Sequence, residues 1–218
     1  DGRIFNVTNG GTLTLKTVIL KNGNATDGGA VYVNAGAALN TNNVEFNDNT
    51  ATNRGGAIYA YDGNLDITSA TFKNNVAVKG GAIYAEAVNN NVTVNIADST
   101  FSDNKAYEQG GAIEFNQNDA AHSLNYNITG SVFNDNLASN TIGTTTVSTA
   151  TVAGGAIYSA GYSVGSISDS SFSNNKVIHS NAPMGGAIKV QDYSNVTVKD
   201  CNFTQNEAAQ GGAIGVQG

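Results

Sequence analysis

Apolar and polar residues alternate along this chain in short runs, as in Val92-Thr93-Val94-Asn95-Ile96 and Val196-Thr197-Val198. That is the period of a β-strand with one face buried. The i, i+3, i+4 spacing of an amphipathic helix does not occur, and the Gly, Asn and Thr between the runs are poor helix formers. The pattern predicts an all-β chain.

The runs recur on a fixed plan. Glycine pairs begin at 28, 55, 80, 110, 154, 185 and 211, each followed by Ala and then Ile, or Val in the first copy. Before them stands FxxN, at Phe46-Asn49, Phe72-Asn75, Phe101-Asn104, Phe133-Asn136, Phe172-Asn175 and Phe203-Asn206. Ile19-Asn22 is taken as the counterpart in the first copy. The period is 25 residues from Gly55 to Gly80 and 44 from Gly110 to Gly154. The shortest unit has room for three short strands and their turns. Such a unit cannot bury its own apolar face, so the copies must stack and share one core. The prediction is a right-handed parallel β-helix of about seven coils, a single domain over residues 1–218. At about 4.8 Å per coil it is a rod roughly 30 Å long.

Stacking turns each repeat position into a column. Phe46, Phe72 and Phe101 should form one inward column, and Ile58, Ile83 and Ile113 another. Asn49, Asn75 and Asn104 can bond a turn and their own copies in the next coil. The pairs Gly55-Gly56, Gly80-Gly81 and Gly110-Gly111 allow positive φ or a close approach of coils. Two residues before each Phe lies a small inward position, Ala70, Ser99, Ser131, Ser170 and then Cys201, so Cys201 reads as a small core residue. Tyr32, Tyr59, Tyr84 and Tyr158 follow the GGAI motif, with Glu114, Lys189 and Gly215 at the same position in other copies. This column is expected to point outward. It is either an aromatic strip that touches a protein or a sugar, or cross-strand stacking alone.

The repeat breaks in two places expected to protrude side by side, 137–153 and 176–184. The first carries Thr144, Thr145 and Thr146, and the second carries His179 and the sole proline, Pro183. Coils three and four are also lengthened, around Glu86–Asn91 and Asn116–Asn125. Solenoids place binding faces on such loops, although exposed turns also vary neutrally in length.

Composition narrows the chemistry. A net charge of −7 with no basic cluster argues against nucleic acid. No apolar run approaches the ~20 residues of a membrane span, so no membrane insertion by this segment is expected. One cysteine precludes an intrachain disulfide. Strand and repeat motif reach both ends, so the chain is expected to be a fragment of a longer protein. Asp48, Asn74, Asp103, Asp135 and Asn174, the third residues of FxxN, make a diluted acidic column that reads as solvated surface, with weak calcium binding the alternative. His122 and His179 lack metal-ligand spacing, and no phosphate loop or paired catalytic carboxylates stand out. No cofactor, metal or catalytic residue is expected. A structural stalk that self-associates end to end through the open strand edges of the solenoid fits these residues better than a polysaccharide-cleaving enzyme does.

The pairing of FxxN with GGAI, as in FNDN…GGAIYA, FKNN…GGAIYA and FSDN…GGAIEF, resembles the polymorphic outer membrane protein repeat family. The resemblance implies a right-handed, pectin-lyase-like β-helical passenger of a bacterial surface protein, often an autotransporter. It also implies a non-enzymatic role in adhesion and virulence, an extracellular, outer membrane-associated location, and a host-cell or surface receptor, protein or glycan, as partner.

Overall fold

The computed structural model describes residues 2–8, 10–148, 151–179 and 183–218. Strands fill it, and no helix occurs among the described residues. One coil shows the plan. The chain runs through Ile58–Tyr61, Asn64–Thr68, Thr71–Lys73 and Val76–Lys79. It then begins again at Ile83–Ala87, with Ile83 beside Ile58 and Tyr84 beside Tyr59 in parallel. Equivalent strands of successive coils pair throughout, giving four parallel sheets of eight, seven, seven and six strands. We call them in chain order the GGAI sheet, the long sheet, the Phe sheet and the fourth sheet. The protein is an all-β parallel solenoid of about seven turns, as the repeat predicts.

A coil has four strands rather than three. Its corners are so short that no loop signal separates the strands. Asn74 and Asn75 alone join Thr71–Lys73 to Val76–Lys79. The direction changes at a single left-handed residue, the third of FxxN: Asn22, Asp48, Asn74, Asp103, Asp135, Asn174 and Gln205 have φ of 54–58°. Short polar side chains tolerate that conformation best. The mixed Asp/Asn column therefore has a backbone cause. The next corner inverts φ at the first glycine of each pair, 59° at Gly55. The second glycine serves close approach, since a Cβ on Gly56 would stand 2.1 Å from the Gly81 carbonyl oxygen of the next coil.

Inside, the columns form as expected with one correction. Phe46, Phe72, Phe101, Phe133, Phe172 and Phe203 stack nearly parallel at 4.6–4.9 Å between centroids. Each buried ring contributes about 1.5–3 kcal/mol through removal from water, and the stacking adds about 0.5–1.5 kcal/mol. In the first coil the counterpart of Phe46 is Leu20, not Ile19. Gly23, not Asn22, then stands opposite Asn49, and its backbone N–H donates to the Asn49 Oδ1 at 2.9 Å. A shift of one residue reverses the faces of a strand, which is why Leu20 is buried and Ile19 is 61% exposed.

Beside the rings runs an unbroken amide ladder. Each Asn Nδ2 donates to the Oδ1 of the next coil's Asn, from Asn49 through Asn75, Asn104, Asn136 and Asn175 to Asn206, at 2.9–3.0 Å. The small column forms a second ladder, in which the Ser99 Oγ accepts from the Ala70 N–H and the Ser131 Oγ from the Ser99 N–H. Cys201 occupies this column too, packed against the core and half-buried, with its thiol toward the Lys199 and Ile167 carbonyls.

Candidate functional site

The tyrosine column after GGAI exists, but it is not an exposed strip. Tyr32, Tyr59, Tyr84, Glu114, Tyr158 and Lys189 stand in register on the outer side of the GGAI sheet. Tyr59, Tyr84 and Tyr158 are only 3, 2 and 5% exposed, and Tyr32 is half-buried. The cover comes from the residue just ahead of the glycine pair. The tight corner folds that residue back over the one five positions later. Arg54 Nη1 donates to the Tyr59 hydroxyl at 2.9 Å, and its guanidinium lies 5.6 and 5.5 Å from the Tyr59 and Tyr84 ring centroids. Ala153 packs on Tyr158, and Met184 approaches Lys189. Tyr32 stacks on Tyr59 at 4.9 Å beneath Arg3.

Beneath this cover sits a charged network that the sequence pattern does not announce. The Glu86 carboxylate accepts from Arg54 at 3.1 Å and from the Tyr59 hydroxyl. One coil on, Glu114 is 1% exposed, and its Oε2 has no partner. Burial pushes the Glu114 carboxyl up to about 8, opposed by the positive charge of Lys79 and reinforced by Glu108 and Glu86. Lys79 is itself paired with Glu108 at 3.7 Å. Glu86 and Glu114 are buried, while Glu108 is partly exposed. No group of three metal-capable side chains occurs among the described residues.

The loops are the exposed candidates. Thr141–Ile142 and Thr145–Thr146 form an antiparallel hairpin around Gly143 and Thr144. Its Thr144, Thr145 and Thr146 all face solvent. Leu137–Ser139 stays in the fourth sheet and Val152 is buried, so the departure from the coil is narrower than 137–153. His179 is half-buried and lines a hollow of about 360 Å³ with Lys176, Ile178, Pro183 and Glu207. Residues 149–150 and 180–182 of the two insertions lie outside the described residues. The insertions leave the solenoid from neighbouring strands, with Leu137 paired to Lys176 and Ser139 to Ile178.

The sequence pattern did not single out the outer face of the long sheet. Its central column reads Thr14, Asn40, Asp66, Asn95, Asn127, Ser166 and Thr197 along the solenoid. The flanking columns are also mostly Asn, Thr and Ser, with Lys16 and Lys199 at the two ends of the row. At the corner where this sheet meets the GGAI sheet, Tyr162 and Tyr193 stack at 4.8 Å, 36 and 72% exposed. With Asn116, Asn118 and Asp192 they line a cleft of about 200 Å³. The visible signal was the alternate Asn/Thr/Ser positions of each strand, which merge into one surface only once the register is known.

Comparison with known proteins agrees with the architecture. The model of the Chlamydia polymorphic membrane protein repeat matches residues 43–61, 69–86 and 98–120. Each segment spans one FxxN and the GGAI motif that follows it. The chain is also similar to the probable autotransporter YfaL of Escherichia coli (strain K12), 40% identical over 93 residues. That match covers 39% of this chain and 7% of the relative. Three segments of this chain thus match the polymorphic membrane protein repeat, and a 93-residue stretch is distantly related to part of a probable autotransporter.

Proposed function

We propose that this chain is a passenger segment of a bacterial surface adhesin, held outside the cell and free of enzymatic activity. The observation that carries the reading is the kinship of its coils with polymorphic membrane protein repeats and with a probable autotransporter. The architecture suits the role. A solenoid whose central coils are each tied to the next by four strands is a stiff spacer, and the loops where the repeat breaks are its variable, solvent-facing parts. FxxN and GGAI are consumed by the core and corners, so recognition is assigned to surfaces outside them. The threonine hairpin is the first of these.

The test is binding of the purified chain to epithelial cells and to immobilised matrix proteins and glycans. Saturable binding is expected. Replacing Thr141–Thr146 with Asn-Gly, a two-residue turn that joins Asn140 to Val147, should weaken it several-fold without lowering the melting temperature. Failure to bind any of these surfaces would count decisively against an adhesin.

A further inference from the structure

The outer face of the long sheet serves neither the core nor the loops, and its chemistry is uniform. Its strands run five to six residues from Ala38–Asn42 to Asn195–Lys199, against three in the Phe sheet, so among the described residues this sheet is built from the longest strands. Among its outward side chains only Lys16, Asp66 and Lys199 are charged, and Val164 is the one large apolar group. The charge of the chain lies elsewhere, with Arg54, Lys79, Glu108 and Lys176 in or beside the fourth sheet.

Each class of partner can be weighed against that surface. A polyanion needs a row of cations, and this face lacks one. A protein interface needs a desolvated apolar or aromatic centre, and the middle of this face is amide and hydroxyl. Amides and hydroxyls both donate and accept hydrogen bonds, as do the hydroxyls of a sugar, and neither carries a charge. Repetition at the coil spacing of about 4.8 Å offers the same donors and acceptors again and again along the axis, which suits a polymer. A second feature points the same way. Tyr162 and Tyr193 present exposed aromatic surface at the margin, beside Asn116, Asn118 and Asp192. An aromatic ring covers the C–H face of a pyranose while neighbouring amides and carboxylates take its hydroxyls.

We propose that this face binds a neutral glycan chain laid along the coils, with Tyr162 and Tyr193 holding a pyranose ring at the margin. The proposal rests on the adhesin reading and names its ligand class.

Affinity electrophoresis of the 218-residue chain tests it, in gels containing dextran, galactomannan or hydroxyethylcellulose, with polygalacturonate as the anionic control. Retardation by at least one neutral polymer and none by polygalacturonate is expected. The double variant Asn95→Lys/Asn127→Glu fills the centre of the face and pairs opposite charges across adjacent coils, while the inward Val94 and Ile96 are untouched. It should lose retardation about tenfold with its melting temperature preserved, and Tyr193→Ala should weaken retardation independently. No retardation by any neutral polymer, equal retardation by polygalacturonate, or an unaffected double variant overturns the proposal. Cell binding separates it from the broader reading. Wild-type-like cell binding by the double variant leaves an adhesin with a different ligand, whereas loss of all binding by the parent chain sinks both.

Discussion

Asn104 uses every hydrogen-bonding site its side chain has. Its Nδ2 donates to the Asn136 Oδ1 and the Phe72 carbonyl, and its Oδ1 accepts from both the backbone and the side chain of Asn75. No water reaches it, since it is 0% exposed. Asn104→Ala would orphan the Asn75 N–H and one Nδ2 proton of Asn75, each costing about 1–3 kcal/mol when buried without a partner. A loss of about 3 kcal/mol or more is expected, read as a lower urea midpoint. One residue along the same motif, Asn74 is exposed and sits at φ 55°. Asn74→Gly should therefore change stability by no more than about 0.5 kcal/mol, because glycine takes that conformation freely. Equal effects at the two positions would refute the division of the motif into a buried ladder and a left-handed corner. The inward columns were legible because Phe, Ile and Asn each recur with their partner in the next copy. The slip at Ile19 arose where the first copy substitutes an aliphatic pair, and only backbone pairing decides which of Ile19 and Leu20 points inward.

At the scale of the element, the GGAI sheet departs furthest from what its sequence suggests. Alternation correctly sets Tyr84 and Glu114 outward, but outward does not mean exposed. The cover is supplied across the glycine corner by residues such as Arg54, five positions upstream and at no helical or strand period. That leaves Glu114 buried beside Glu86 and Glu108, with Arg54 and Lys79 the nearby cations. Its carboxyl titrates near 4.5 when unfolded and is pushed up to about 8 when folded. The folded state thus holds a proton that the unfolded state has released, so stability must fall as pH rises from about 4.5 to about 8. Below that window both states are protonated and the contribution is intact. Above it the loss is complete, on the order of a few kcal/mol. Glu114→Gln removes the titration. The variant should be flatter than the parent in melting temperature between pH 5 and 8, and relatively more stable at pH 8 than at pH 5. Parallel pH profiles would show that Glu114 is hydrated after all.

For the whole molecule, the decisive property is that contacts run almost entirely between neighbouring coils. Each interior strand of the four sheets pairs with its counterparts one coil before and one after, and the Phe and Asn columns run from coil to coil in the same way. Stability should then be close to a sum over coils and the interfaces between them, so a whole coil is removable and a fraction is not. Asn75 and Asn104 are 29 residues apart at identical positions. Deleting 76–104 joins Asn75 to Lys105, restores the fourth-sheet strand in phase, and brings Asn49, Asn75 and Asn136 into one ladder. Deleting 76–89 is half as large but joins Asn75 to Asn90, which puts a long-sheet segment where the fourth sheet must begin. The in-phase deletion should fold and unfold cooperatively at a somewhat lower midpoint, with β-type circular dichroism per residue unchanged. The smaller, out-of-phase deletion should be unfolded or aggregated. If the smaller one survives and the larger does not, local contacts rather than register hold the solenoid together. The same logic bears on function, since the in-phase deletion shortens the long sheet by one row and keeps Tyr162 and Tyr193. A ligand read by a repeating surface should lose affinity gradually with each row removed, whereas one held at a single loop should not change at all.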